Sequence, residues 1–187
     1  MRLTLKPIGP VDRGVLARLA DRLQEFGEVD TASVAPLPAD GLERTRGQYR
    51  ATRLFDVCLA EPGDRVLGVT EADLYEGELR SVFGYAQIEG RAAVISLARL
   101  RGRPPSARTP RRLLARTTAR RHKRFLDRCE KEAVHELGHT LGLAHHDGHP
   151  ECVMFYSERL SDTDRKGRTY CPACSDRADL ILKRLGT

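Results

Sequence analysis

Two histidines four residues apart, a glycine three further on and a third histidine three beyond it fix the geometry of residues 135–145, His-Glu-Leu-Gly-His-Thr-Leu-Gly-Leu-Ala-His. On a helix, His135 and His139 share one face, one turn apart. That spacing lets both imidazoles reach one Zn²⁺ at about 2.0–2.1 Å. Glu136 then lies beside the ion and can take a proton from its water. Gly142 lets the chain leave the helix through a positive φ, which a residue with a Cβ resists. His145 returns as a third ligand. Three protein ligands leave one position open, the arrangement of catalytic rather than structural zinc. A salt-bridged helix with solvated histidines would explain a bare His-Glu-x-x-His, but not five fixed positions.

A second constellation is built on cysteine. The chain holds Cys58, Cys129, Cys152, Cys171 and Cys174. Cys171 and Cys174 form a C-x-x-C knuckle with Cys152 upstream. Three thiolates and one imidazole would close a structural zinc site, with His146 or His149 as the fourth ligand. The rival is a redox C-x-x-C, which follows a strand and opens a helix. Residues 161–170 are too polar for a buried strand. A thiol–disulfide role stays open beside the metal reading. Cys58 and Cys129 read as small buried hydrophobes.

Taken together, these motifs resemble the archaemetzincins, small metzincins with the pattern H-E-x-x-H-x-x-G-x-x-H-C-x₄-C-x-M-x₁₇-C-x-x-C. His135, Glu136, His139, Gly142, His145, Cys152, Met154, Cys171 and Cys174 fit it. His146 stands where the family has cysteine. The gap from there to Cys152 is one residue longer, and that from Met154 to Cys171 is one shorter. Residues 46–49, 67–70, 73–75 and 83–86 also look like family stretches. The resemblance implies an α/β (α+β-like) metzincin fold: a mixed twisted sheet, two helices, a long active-site helix, a Met-turn and a C-terminal helix. It implies a zinc-dependent endopeptidase or aminopeptidase-like hydrolase, two zinc ions, and a peptide or protein substrate. Met154 would pack beneath the catalytic metal without binding it. Tyr156 matches in position a tyrosine that some metzincins swing toward zinc. Residues 83–88 would be the sheet edge beside which a substrate lies.

The 187 residues suit one domain. We divide it into residues 1–145, with the sheet and active-site helix, and a small part, 146–187, with the Met-turn and cysteine site. No apolar run approaches membrane-spanning length. The N-terminus carries charge where a signal peptide needs its apolar stretch, so a cytoplasmic monomer is expected. The net charge of +6 is uneven, with eleven Lys and Arg and no Asp or Glu over residues 99–124. That stretch reads as a solvated face, because no RNA-binding motif or aromatic platform accompanies it; nucleic acid is not an expected partner. The alternative function is a zinc-stabilised nucleic-acid or protein binding module with an idle protease motif.

Alternating apolar residues predict strands at 2–7, 31–36 and 65–70, and a hairpin of 82–88 with 92–97 around 89–91. Helices are predicted over 10–26, with Val15, Leu16, Leu19 and Leu23 on one face, and over 48–60, with Tyr49, Leu54, Phe55 and Cys58 in the core. A proline-bearing loop at 101–110 precedes a long helix over 111–141. Polar loops at 147–170 and a final helix over 175–185 complete the chain.

Overall fold

The computed structural model describes the backbone of residues 1–104 and 111–185. Residues 105–110, most of the expected proline-bearing loop, lie outside them. In chain order the first elements are β1 (Arg2–Ile8), α1 (Arg13–Leu23), β2 (Glu28–Thr31), β3 (Leu42–Glu43), β4 (Gln48–Arg50), α2 (Phe55–Leu59) and β5 (Arg65–Thr70). There follow β6 (Leu74–Glu76), β7 (Leu79–Val82), β8 (Gly84–Ala86), β9 (Ala92–Ser96), α3 (Arg111–Thr140), α4 (Leu160–Arg165) and α5 (Pro172–Leu185).

The main sheet runs β2-β1-β5-β9-β8. Its first four strands are parallel, and β8 joins antiparallel at the edge. Side chains alternate across the pleat. Leu3, Leu5, Leu67, Val69, Ala93 and Ile95 face a core shared with α1 and α3. Ile8, Val66, Ala92 and Val94 face the opposite way, onto Leu54, Phe55 and Cys58. A sheet buried on both faces is the expected condition for parallel strands. Helix α1 presents the expected face, Val15, Leu16, Leu19 and Leu23, and Asp12 caps it by accepting from the Val15 N–H at 3.1 Å.

Several elements depart from the sequence expectation. The second strand is Glu28–Thr31 rather than 31–36, because the Glu28 N–H bonds to the Met1 carbonyl at 3.1 Å and sets the register with β1. Residues 48–60 are not one helix. Gln48–Arg50 pair with β6, and a 3₁₀ turn, Ala51–Leu54, leads into the short α2. Glu76 of β6 draws this segment into place: it accepts from Arg50 Nε at 2.9 Å and from the Thr52 N–H at 2.8 Å. A small second sheet, β3-β4-β6-β7, results. Helix α4 lies within the expected loop at 147–170; Asp162 accepts from the Arg159 N–H at its start, at 2.9 Å. The last helix begins at Pro172, three residues early, since proline suits a first helical position.

Strand β8 and β9 form the expected hairpin, but residue 89 rather than Gly90 takes the left-handed conformation, with φ 55°. The Glu89 N–H bonds to the His139 carbonyl at 3.1 Å, so the hairpin turn is docked on the end of α3. Of the basic stretch, Arg99 is paired with Asp73, and Arg101 with Glu71 while also lying over the Phe125 ring.

Candidate active site and metal centres

Helix α3 carries His135 and His139 on one face, and their Nε2 atoms are 3.2 Å apart. The helix ends through a Schellman motif. The Leu143 N–H reaches the Gly138 carbonyl at 2.9 Å and the Gly142 N–H reaches that of His139 at 3.0 Å, with Gly142 at φ 77°. This reversal brings His145 Nε2 to 3.2 Å from His139 Nε2. The three histidines expected as ligands are therefore together.

Their chemistry fits a cation. Val153 O lies 2.8 Å from His135 Nδ1, and Leu143 O lies 2.7 Å from His139 Nδ1. A carbonyl can only accept, so each Nδ1 carries the proton and each Nε2 presents its lone pair. That is how metal-binding histidines are oriented. Tetrahedral ligands at zinc–nitrogen distances stand about 3.3 Å apart, close to the separation seen here. Burial pushes His135 well below its ordinary range, with Lys166 and His139 adding to the shift, and takes His139 to about 4. His145 is lowered too, again chiefly by burial. Neutral imidazoles are what a metal requires.

The Glu136 side chain lies against β8, where Gly84 leaves room for its carboxylate; a Cβ there would collide with it. Burial raises its carboxyl well above the usual range, and the Glu132 charge raises it further. A cavity of about 510 Å³ opens over these groups. The β7–β8 segment forms one wall, α3 the floor, and residues 156–158 the third side. Among the described residues, strand β8, within the expected edge at 83–88, has only β9 as its neighbour in the main sheet.

Beneath the histidines, Met154 is fully buried. A Cβ on Gly138 would stand 2.5 Å from Met154 Sδ and 3.1 Å from the Tyr170 hydroxyl oxygen. Gly138 therefore exists to admit the methionine. Tyr170 donates to the Val134 carbonyl at 2.9 Å and closes the floor. The Tyr156 ring is 4.8 Å from that of His145 and is part-exposed at the cavity rim.

The second constellation also assembles. His146 Nδ1 is 3.2 Å from Cys171 Sγ and 3.5 Å from Cys174 Sγ, while the Cys171 N–H meets Cys152 Sγ at 3.3 Å. All four ligand atoms lie within 4.8 Å of one another. His149 is left outside, its ring tilted against that of His146 at 4.1 Å between centroids, and bonded through Nδ1 to Glu151. All five cysteines are free thiols. Burial opposes ionisation of Cys171, but the Cys174 N–H at the start of α5 and the neighbouring thiols outweigh it and lower its pKa. Cys174, buried and beside those sulfurs, is pushed up to about 12. One thiolate forms easily here, and several together require a cation, which suits zinc. Cys58 and Cys129 are buried away from both clusters.

Four residues escaped the sequence reading. Gly138 left a signal, a glycine inside a helix that has no turn to make. Tyr170 and the buried pair Glu132–Lys166, 2.9 Å apart, left none, because each depends on contacts 31 or more residues away.

The sequence pattern of the family described as Peptidase family M54 matches residues 14–179. The archaemetzincin of Methanopyrus kandleri is 38% identical over 180 residues, covering 92% of this chain and 93% of that protein. That of Methanocaldococcus jannaschii is 37% identical over 180 residues, covering 93% and 90%. The crystal structure of the Methanopyrus kandleri archaemetzincin is similar with a TM-score of 0.81 at 34% identity, over 98% of this chain and 96% of that one.

Proposed function

The chain belongs to peptidase family M54, the archaemetzincins, and from that premise we propose that it hydrolyses peptide bonds with His135, His139 and His145 holding the catalytic zinc. The observation that carries this reading is the histidine triad: Nε2 atoms 3.2 Å apart, with two rings locked in the metal-binding tautomer by backbone carbonyls. When bound, the ion supplies a positive centre that acidifies water and polarises a carbonyl. Glu136 is the general base. It accepts the proton of the attacking water and then delivers it to the leaving amine. Its burial beside Gly84 makes the carboxylate avid for that proton. The substrate chain adds as a strand to the free side of β8, with main-chain hydrogen bonds setting its register.

His146, Cys152, Cys171 and Cys174 hold a second, structural zinc. It ties the segment beneath the triad to α5, where little apolar surface is available to order the chain. Free thiols in this number suit a reducing, cytoplasmic setting. Among the described residues, no helix is long and apolar enough to cross a membrane.

Glu136→Gln tests the mechanism. Cleavage of a peptide library should fall by about 10²–10⁴-fold, with the zinc content per chain unchanged. Retained cleavage would remove Glu136 as the base. Loss of metal would give it a structural role instead.

A further inference from the structure

The floor of the cavity continues past the triad to Glu132, one helical turn before Glu136, and this position has a polar chemistry of its own. The Glu132 side chain is 3% exposed and lines the cavity. Among the described residues, its polar contacts fall on Oε1: Lys166 Nζ at 2.9 Å, and the Thr163 hydroxyl, which donates at 3.2 Å. The Lys166 ammonium is fully buried and out of line for a hydrogen bond, so it holds the carboxylate by charge alone. Neither contact engages Oε2. Ser157 lines the same cavity, and its Oγ is buried with no hydrogen-bond partner among the described residues. At the mouth, Glu78 and Glu158 line the cavity with no ion pair among the described residues, against Arg80. A tie between α3 and the chain after α4 would account for the Lys166 contact. It would not account for the buried Ser157 hydroxyl left without a partner among the described residues, since an unpaired buried polar group is costly.

Resting on the peptidase reading above, we propose that Glu132 and Ser157 form a side-chain subsite that selects a basic residue, arginine before lysine, beside the scissile bond. A guanidinium offers a fork of N–H donors that can meet the Glu132 carboxylate and the Ser157 hydroxyl oxygen together; an ammonium is a point charge. Glu78 and Glu158 attract the cation to the entrance. Lys166 gives the buried Glu132 side chain a partner inside the protein while the subsite is empty. An acidic side chain would meet Glu132 directly and be rejected.

The test is binding of peptide hydroxamates to the zinc-loaded protein by calorimetry, with arginine, leucine or glutamate next to the hydroxamate. The arginine compound should bind at least about tenfold more tightly than the leucine compound, with glutamate weakest. In Glu132→Gln that preference should fall below about threefold. Because the single change strands Lys166, the double variant Glu132→Gln/Lys166→Met, which removes both charges, is measured alongside. Equal binding of all three compounds, or an arginine preference that survives in either variant, overturns the subsite and leaves the peptidase reading standing. Failure of every hydroxamate to bind the wild-type protein overturns the metal centre and the subsite with it.

Discussion

Gly138 sits between His135 and His139, two of the proposed zinc ligands. Its missing Cβ is filled by Met154 Sδ, with Tyr170 beside it. Gly138→Ala should therefore overpack the floor, at a cost of about 1–3 kcal/mol, read as a lower urea midpoint. The histidines would be displaced from below, so zinc at the triad should be lost before zinc at the cysteine site. A variant with unchanged stability and full metal content would show that the floor has slack. The catalytic letters themselves were legible because helical spacing is local: residues four apart meet whatever the rest of the chain does. The partner of Gly138 was not, because it lies sixteen residues on, across a turn whose path no spacing rule supplies. The fourth cysteine-site ligand was left between His146 and His149 for the same reason. The Met154 carbonyl accepts from the His146 N–H at 2.9 Å and turns that residue inward.

At the scale of elements, α3 and α4 are joined by a fork. Arg128 Nε and Nη2 meet the two oxygens of Asp164 at 2.7 and 2.8 Å, and Arg128 Nη1 reaches the Leu100 carbonyl at 2.9 Å. Hydrogen bonding from Arg128 holds the Asp164 carboxyl below its usual range. A carboxyl depressed in the folded state stabilises above its unfolded value, about 3.9, and ceases to do so as pH falls through the folded value. Asp164→Asn should thus lower the urea midpoint at pH 7, and its deficit should shrink below about pH 4. A deficit that is constant with pH would assign the loss to packing. Helix α4 was invisible in the sequence because one leucine and five polar residues carry no apolar period, and a cap at Arg159 and Asp162 holds it instead. The segment at 48–60 misled for the converse reason. Its apolar spacing suits a helix, but Glu76, distant in sequence, holds Arg50 in the second sheet and Thr52 in the 3₁₀ turn after it. Strands of two to four residues are too short to show a period of two.

Across the whole molecule, the main sheet, α1 and α3 were readable because long periodic elements bury one continuous face. The C-terminal part, in the two-zinc reading, depends on the ties that the cysteine site makes for it. Cys174→Ser should reduce bound zinc from two ions to one and raise the susceptibility of α5 to proteolysis, while the sheet stays folded. Unchanged metal content would remove Cys174 from the ligand set. The two centres are also neighbours in the chain. His145 and His146 are separated by a single peptide bond, and Cys152 is adjacent to Val153, whose carbonyl orients His135. In the two-zinc reading proposed above, the cysteine site would thus serve as a jig for the triad: an ion held there would draw the second cradle into register.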